Sequence, residues 1–277
     1  MTRPNLAFQE HPLDLYETQN VAVEVYTDLP TVIEVIRQCF ESFLTGGEQY
    51  RVITQVSSDD RLEFNKWRAC TQPQTFLVRE FPYDNVIVIK FKSPLYEQVS
   101  QTMYQRFYVR KYQQYHGLPS DLLACAGPTV YTLPNGLQLE AEQSYVPLAT
   151  REPDSYPSLI MEFGDTASLD ALQADARLWL EGTSGVIRFV LVVAFSDEPQ
   201  EIVFECWEYR DGIAECIHEV SVDYASGRVR HAPLMIPLVL IFDKIPDLPG
   251  ITEDATIAFS DDDLVRLMRG TVHRETS

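Results

Sequence analysis

Glu142 and Glu162 are the side chains through which this chain could do chemistry. Glu162 interrupts the apolar run "SLIMEFGD" (158–165). A carboxylate there is costly unless it is paired, hydrogen-bonded or bound to a cation. Glu142 lies in "GLQLEAEQSYVP" (136–147). Alternation along that run puts Leu137, Leu139, Ala141, Gln143 and Tyr145 on one face and Gln138, Glu140, Glu142 and Ser144 on the other. The loop "PLATREPDSY" (147–156) is long enough to bring the two strands side by side. Two or three carboxylate oxygens from neighbouring strands, completed by water, commonly hold Mg²⁺ or Mn²⁺, and the two glutamates are expected roughly 4–6 Å apart on one side of a sheet. Two plainer readings stand beside this one. The glutamates are solvated, or they form a structural ion pair with Arg188, the arginine of the next apolar strand.

The elements that would position these residues are legible in outline. "VAVEVY" (21–26) reads as a strand, and Asp28-Leu29-Pro30 opens a helix with the apolar stripe Val32, Ile33, Ile36, Phe40, Phe43, Leu44. "YRVITQV" (50–56) and "QTFLVREF" (74–81) are strands, with "PYDN" (82–85) a turn. "NVIVIKF" (85–91) is apolar enough for a central strand. "SPLYEQVSQTMYQRFYVRKYQQYHG" (93–117) is a long helix with Ser93 as cap and Pro94 in its first turn. Pro134-Asn135-Gly136 makes a hairpin turn. Residues 166–185 form an amphipathic helix started by Asp165-Thr166, and "VIRFVLVVAF" (186–195) is the most apolar strand. "EIVFECWEY", "AECIHEVSVDY" and "LMIPLVLIF" (201–242) continue a sheet by hairpins, and Ser260 with Asp263 caps a last short helix. The expected class is mixed α/β. It divides into an N-terminal α/β extension (1–84), a core (85–245) and a C-terminal segment (246–277). Strands 86–91, 137–145, 158–163 and 186–195 are expected in one sheet, with helices 95–116 and 168–181 packed on it.

Charge and composition narrow the function. The 277 residues are 45% hydrophobic and carry a formal charge of −19, so a large core is available but no global attraction for a phosphate backbone. A nucleic-acid partner therefore needs a local basic patch. "YQRFYVRKYQQYH" (104–116) offers one, since Arg106, Arg110 and Lys111 alternate with five aromatics and no acid. The competing reading is a packed helix with snorkelling cations. No apolar run is long enough to span a membrane, and no secretory leader is expected from "MTRPNLAFQEHPLDLY". Five scattered cysteines with no CxxC spacing fit reduced thiols in cytoplasm or nucleus.

The run from "VIVIKFKSPLYEQVS" through "GPTVYTLPNGLQLEAEQSYVP" to "YPSLIMEFGDTASLDALQADARLWLEGTSGVIRFVLVVAF" resembles a group of uncharacterised fungal proteins. That group in turn resembles the restriction-endonuclease-like families of the PD-(D/E)XK phosphodiesterase superfamily. The resemblance implies a mixed core sheet flanked by helices, with appended C-terminal strands, and Mg²⁺-dependent phosphodiester hydrolysis. It implies Glu97 as the helix acid, Glu142 in place of the Asp of "PD", and Glu162 as the acid of (D/E)-X-K. Two positions depart from the pattern. Gly164 stands where the lysine belongs, and Ala141-Glu142 replaces "PD". In bacterial relatives a lysine comes instead from the following helix, where this chain has Arg177, which cannot act as a base but can stabilise a phosphoryl oxygen.

Each residue also has a plain alternative: Glu97 as an exposed first-turn acid, Arg177 as part of a solvated face with Gln173 and Glu181, Glu140 as a wet side chain. Three functions follow. The first is a metal-dependent nuclease with Glu97, Glu142 and Glu162 as ligands and Arg177 assisting. The second is a fold relative without catalysis that binds a protein partner, or a copy of itself, as a module or scaffold. The third is unrelated enzyme chemistry in the same pocket.

Overall fold

The computed structural model describes Tyr16, 21–71, 75–115, 122–127, 129–248 and 251–272. In chain order the elements are β1 (Val23–Val25), α1 (Leu29–Phe43), β2 (Tyr50–Thr54), α2 (Ser58–Thr71), β3 (Phe76–Phe81), β4 (Val86–Phe91), α3 (Pro94–Gln114), β5 (Leu123–Cys125), β6 (Thr129–Thr132), β7 (Gln138–Ala141), β8 (Gln143–Pro147) and β9 (Leu159–Asp165). After a 3₁₀ turn at Thr166–Ser168 come α4 (Leu169–Gly182), β10 (Phe189–Ser196), β11 (Glu201–Arg210), β12 (Ile213–Asp223), β13 (Arg228–Arg230), β14 (Leu234–Pro237), α5 (Leu238–Ile241), β15 (Thr256–Phe259) and α6 (Asp261–Val272). The class is mixed α/β. No described helix is long and apolar enough to cross a membrane.

The chain forms two units. The first takes residues up to Ser93 and adds Val130–Glu140; the second takes Pro94–Thr129 and Ala141 onward. In the first unit the six strands run β1-β2-β4-β3-β7-β6. Asp28 caps α1 by accepting from the Thr31 N–H at 2.9 Å, and Pro30 sits in the first turn. Val32 and Ile36 of α1 and Phe64 of α2 bury against Ile53, Val78, Ile87, Ile89 and Phe91.

The second unit is built on a seven-stranded sheet ordered β13-β12-β11-β10-β9-β8-β5. β9 and β10 are parallel and are joined through α4, while the pairs β8–β9, β10–β11, β11–β12 and β12–β13 are antiparallel. Leu159, Met161 and Phe163 share one face with Leu191 and Val193, and that face packs on Tyr96, Val99, Met103 and Phe107 of α3 and Leu264 and Leu267 of α6. Fully burying each of these side chains is worth ~1.5–3 kcal/mol, so the α3 stripe outweighs any single cap. By alternation Ile160 and Glu162 face the other way, where the Trp179 indole of α4 meets Glu162.

Several expectations are corrected. β4 belongs to the first sheet, paired with both β2 and β3, so it is not in one sheet with β9 and β10. The reason is local. Phe81 pairs with Val86 across Pro82–Asn85, and a hairpin that tight keeps both arms in one sheet. The boundary therefore falls after β4, not at 84/85. The run 137–145 is two strands: β7 joins the first sheet and β8 the second, with Glu142 at the bend between them. Residues 234–242 do not extend the large sheet. β14 pairs with β15, and 238–241 is a helical turn. Leu264 and Leu267 join the core of the second unit, so residues from 246 are not a separate segment. α2 was not foreseen. β9 and β10 do share a sheet as expected, and the Ser260–Asp263 cap forms, the Ser260 N–H donating to Asp263 at 2.9 Å.

Candidate functional site

The β8–β9 register pairs Gln143 with Met161 and Ser144 with Ile160. Continued by one step it sets Glu142 opposite Glu162, just where β8 leaves the sheet. The ladder stops there, and the Phe163 N–H would lose its partner. Glu142 replaces the missing carbonyl: its Oε2 accepts from the Phe163 N–H at 2.7 Å. Glu162 is fully buried, and its Oε1 accepts from the Trp179 indole N–H at 2.7 Å. The Tyr96 hydroxyl faces Glu142. Burial, then the charge and hydrogen bonding of Glu142, then the charges of Glu162 and Glu97, hold it well above its ordinary pKa. Tyr96 therefore stays protonated beside the two acids. Asp175 is buried on α4, one turn before Trp179.

The other residues singled out from sequence are placed as follows. Glu97 lies exposed in the first turn of α3. Arg177 is exposed, and its guanidinium stacks 5.6 Å from the Trp207 ring centroid. Its expected neighbours point elsewhere: Gln173 donates to Glu205 at 2.9 Å, and Glu181 accepts from the Ala214 N–H at 3.0 Å. Arg188 adds its charge to the surroundings of Asp243. Arg151 dominates there, donating to both Asp243 oxygens at 2.6 and 2.7 Å and holding that carboxyl below its usual range. Glu140 is not wet; it pairs with Arg68 of α2 and accepts from the Val78 N–H at 3.2 Å. Asp165 caps the 3₁₀ turn, accepting from the Ala167 N–H at 2.8 Å.

On α3, Arg106 is exposed. Arg110 donates to the Ala258 carbonyl at 2.7 Å and pairs with Asp263 at 2.9 Å. Lys111 is buried with its ammonium 4.7 Å from the Tyr108 ring centroid. Two of the three cations proposed for a nucleic-acid face are thus used inside the second unit.

Mg²⁺ asks for several free oxygens and usually keeps waters. Glu142 and Glu162 are buried, and each commits an oxygen to a protein N–H. Among the described residues no three His, Cys, Asp or Glu side chains converge in a way that could hold a metal ion. The donor set does not fit the ion. Tyr96 and Trp179 are the neighbours that sequence reasoning missed. Only the interior stripe of α4 hinted at one of them, Trp179.

No protein-family model matches the chain, and no curated protein matches it in sequence.

Proposed function

We propose that the protein is a non-catalytic binding module whose second unit is a relative of the restriction-endonuclease-like fold. One observation carries this reading: Glu142 and Glu162, both buried, each spend an oxygen on a protein donor, the Phe163 N–H and the Trp179 indole N–H. They close a sheet end and fix a helix where a nuclease would present open ligands. The departures at Gly164 and Ala141, the stacking of Arg177 on Trp207 and the charge of −19 agree with it. Five free cysteines suit a reducing intracellular compartment.

The second reading, a Mg²⁺- or Mn²⁺-dependent phosphodiester hydrolase, rests on the β8–β9 register, which continued by one step sets Glu142 opposite Glu162. The test incubates the full chain with single- and double-stranded DNA and with RNA in Mn²⁺ or Mg²⁺, beside Glu162→Gln. The module reading expects no cleavage above the variant's background and no Mn²⁺-dependent broadening of resonances around Glu142. Metal-dependent cleavage that Glu162→Gln abolishes would overturn it.

A further inference from the structure

The β11–β12 hairpin places acids directly opposite one another three times. Its register pairs Glu201 with Asp223, Glu205 with Glu219, and Glu208 with Glu215. Like charges facing across an antiparallel pair are destabilising. Arg210 beside Glu208 and Arg228 beside Asp223 offset the two end pairs in part. Among the described residues no cation forms an ion pair with the middle pair. Glu205 is buried, accepts from Gln173 and the Trp207 indole, and has Glu219 and Asp170 as further negative neighbours.

This hairpin is also where the large sheet is left open. β13 covers β12 only at Ser221–Asp223. From Ile213 to Val220 no other described strand lies on the outer side of β12, and Ile213, Glu215, Cys216 and Glu219 are exposed. The Ala214 N–H is taken by Glu181, which bounds the open stretch at its start, and within the stretch the His218 ring meets the Pro233 carbonyl at 3.2 Å. The other sheet edges are strands of three or four residues.

Acids on an edge strand keep it from pairing with a second copy of itself, and the bulge at Cys206/Trp207 helps by twisting it. That accounts for Glu215 and Glu219 on β12. It does not account for Glu201, Glu205 and Glu208 on the inner strand, whose charges add to the repulsion across the pair although Glu205 accepts two hydrogen bonds and Glu208 pairs with Arg210. We propose that the outer edge of β12, Glu215 to Val220, docks an extended lysine- or arginine-bearing segment of a partner protein, which adds to the sheet as an eighth strand. Main-chain hydrogen bonds give it affinity, and its basic side chains neutralise Glu215 and Glu219 on opposite faces. The same edge repels nucleic acid.

This proposal rests on the binding-module reading and names its partner class. The probe is a peptide of about nine residues that carries Lys or Arg on both faces of an extended strand, with Val between them, long enough to cover the stretch at the rise of a strand. It is titrated into the isotope-labelled full chain beside an acidic counterpart and a copy N-methylated at alternate residues. Shift changes and slowed amide exchange are expected within residues 214–220. The N-methylated copy and the Glu215→Lys/Glu219→Lys variant should each bind about tenfold or more weakly, a loss of ~1.4 kcal/mol. Equal binding by the N-methylated or acidic peptide, changes confined to other elements, or no binding would overturn the proposal. Cleavage in the nuclease assay would overturn the module reading without touching this result.

Discussion

The second unit handles buried carboxylate charge in two opposite ways. At the β8–β9 end, Glu142 and Glu162 lie against polar hydrogens that their neighbours supply: a backbone N–H stranded by the departing chain, an indole, a phenol. On the β11–β12 hairpin the acids face one another, with two arginines for six carboxylates. The first arrangement closes a structure; the second leaves one electrostatically incomplete. Residue type alone does not separate them. The number of donors each carboxylate meets does, and a functional surface is better sought where that number falls short.

The sharpest break of this contrast is Trp179→Phe. It removes the indole donor from fully buried Glu162 and shrinks a packed side chain. A hydrogen bond to a charged group is worth ~1.5–3 kcal/mol, and the lost volume adds to it. A loss of about 3 kcal/mol in urea denaturation is expected. A loss under about 1 kcal/mol would mean that Glu162 does not depend on the indole.

Glu142→Ala comes next. It leaves the Phe163 N–H without its acceptor, at a cost of ~1–3 kcal/mol. Glu142→Gln retains an acceptor oxygen and should recover at least half of that loss. If both variants are equally destabilised, the negative charge rather than the hydrogen bond matters, which would revive the metal reading.

Much of this was legible in the sequence, and the failures have definite causes. The caps at Asp28 and Ser260 follow from local chemistry and form as expected. Glu162 was recognisable because a carboxylate in "SLIMEFGD" must find a partner. The sheet of β4 is misjudged from sequence because the turn at 82–85 reads as a boundary, whereas its length makes it a hairpin. Strict alternation fails at Glu142 because a bend resets the period, which leaves Glu140 in the first sheet and Glu142 at the bend before the second. α2 was missed although Ser57 and Asp60 cap it reciprocally, the Ser57 N–H donating to Asp60 at 3.1 Å and the Asp60 N–H to the Ser57 hydroxyl at 3.2 Å. The opposed acids could not be read at all, since they exist only once register is known.

Glu205 tests the other side of the contrast through pH. Burial raises its carboxyl pKa, and Glu219 and Asp170 raise it further, against the lowering by the Trp207 and Gln173 donors. The native state then holds its proton more tightly than the unfolded chain. This group's contribution is most favourable below the ordinary carboxylate pKa and is lost as pH rises through the raised folded value. Asp243, lowered chiefly by its hydrogen bond from Arg151, has the opposite sign: its contribution is present above the ordinary value and lost as pH falls through the depressed one. The difference between Glu205→Gln and the parent isolates the first group. The variant is expected to match the parent in acid and to exceed it by about 1 kcal/mol at neutral pH. A constant difference across pH would show that Glu205 does not titrate above its ordinary range.

The smallest expected effect sharpens the comparison most, because it separates a repelling pair from a merely exposed one. Glu219 faces Glu205 across β11–β12. Glu219→Lys turns that like-charge pair into an opposite one, while the exposed position allows the substitution without repacking. Cross-strand pairs are worth ~0.2–1 kcal/mol, so stability at neutral pH should rise by about that amount. The gain must disappear in acid, where Glu205 is protonated and offers lysine no charge, and it must shrink with added salt to the extent that the pair is solvated. The same variant should weaken the basic peptide. A single substitution that makes the fold firmer and the docking weaker is the signature of a surface whose repulsion is held in reserve for a partner. If Glu219→Lys leaves stability unchanged at all pH values, the facing carboxylates do not feel each other, and the case for a cationic strand at this edge loses its electrostatic footing.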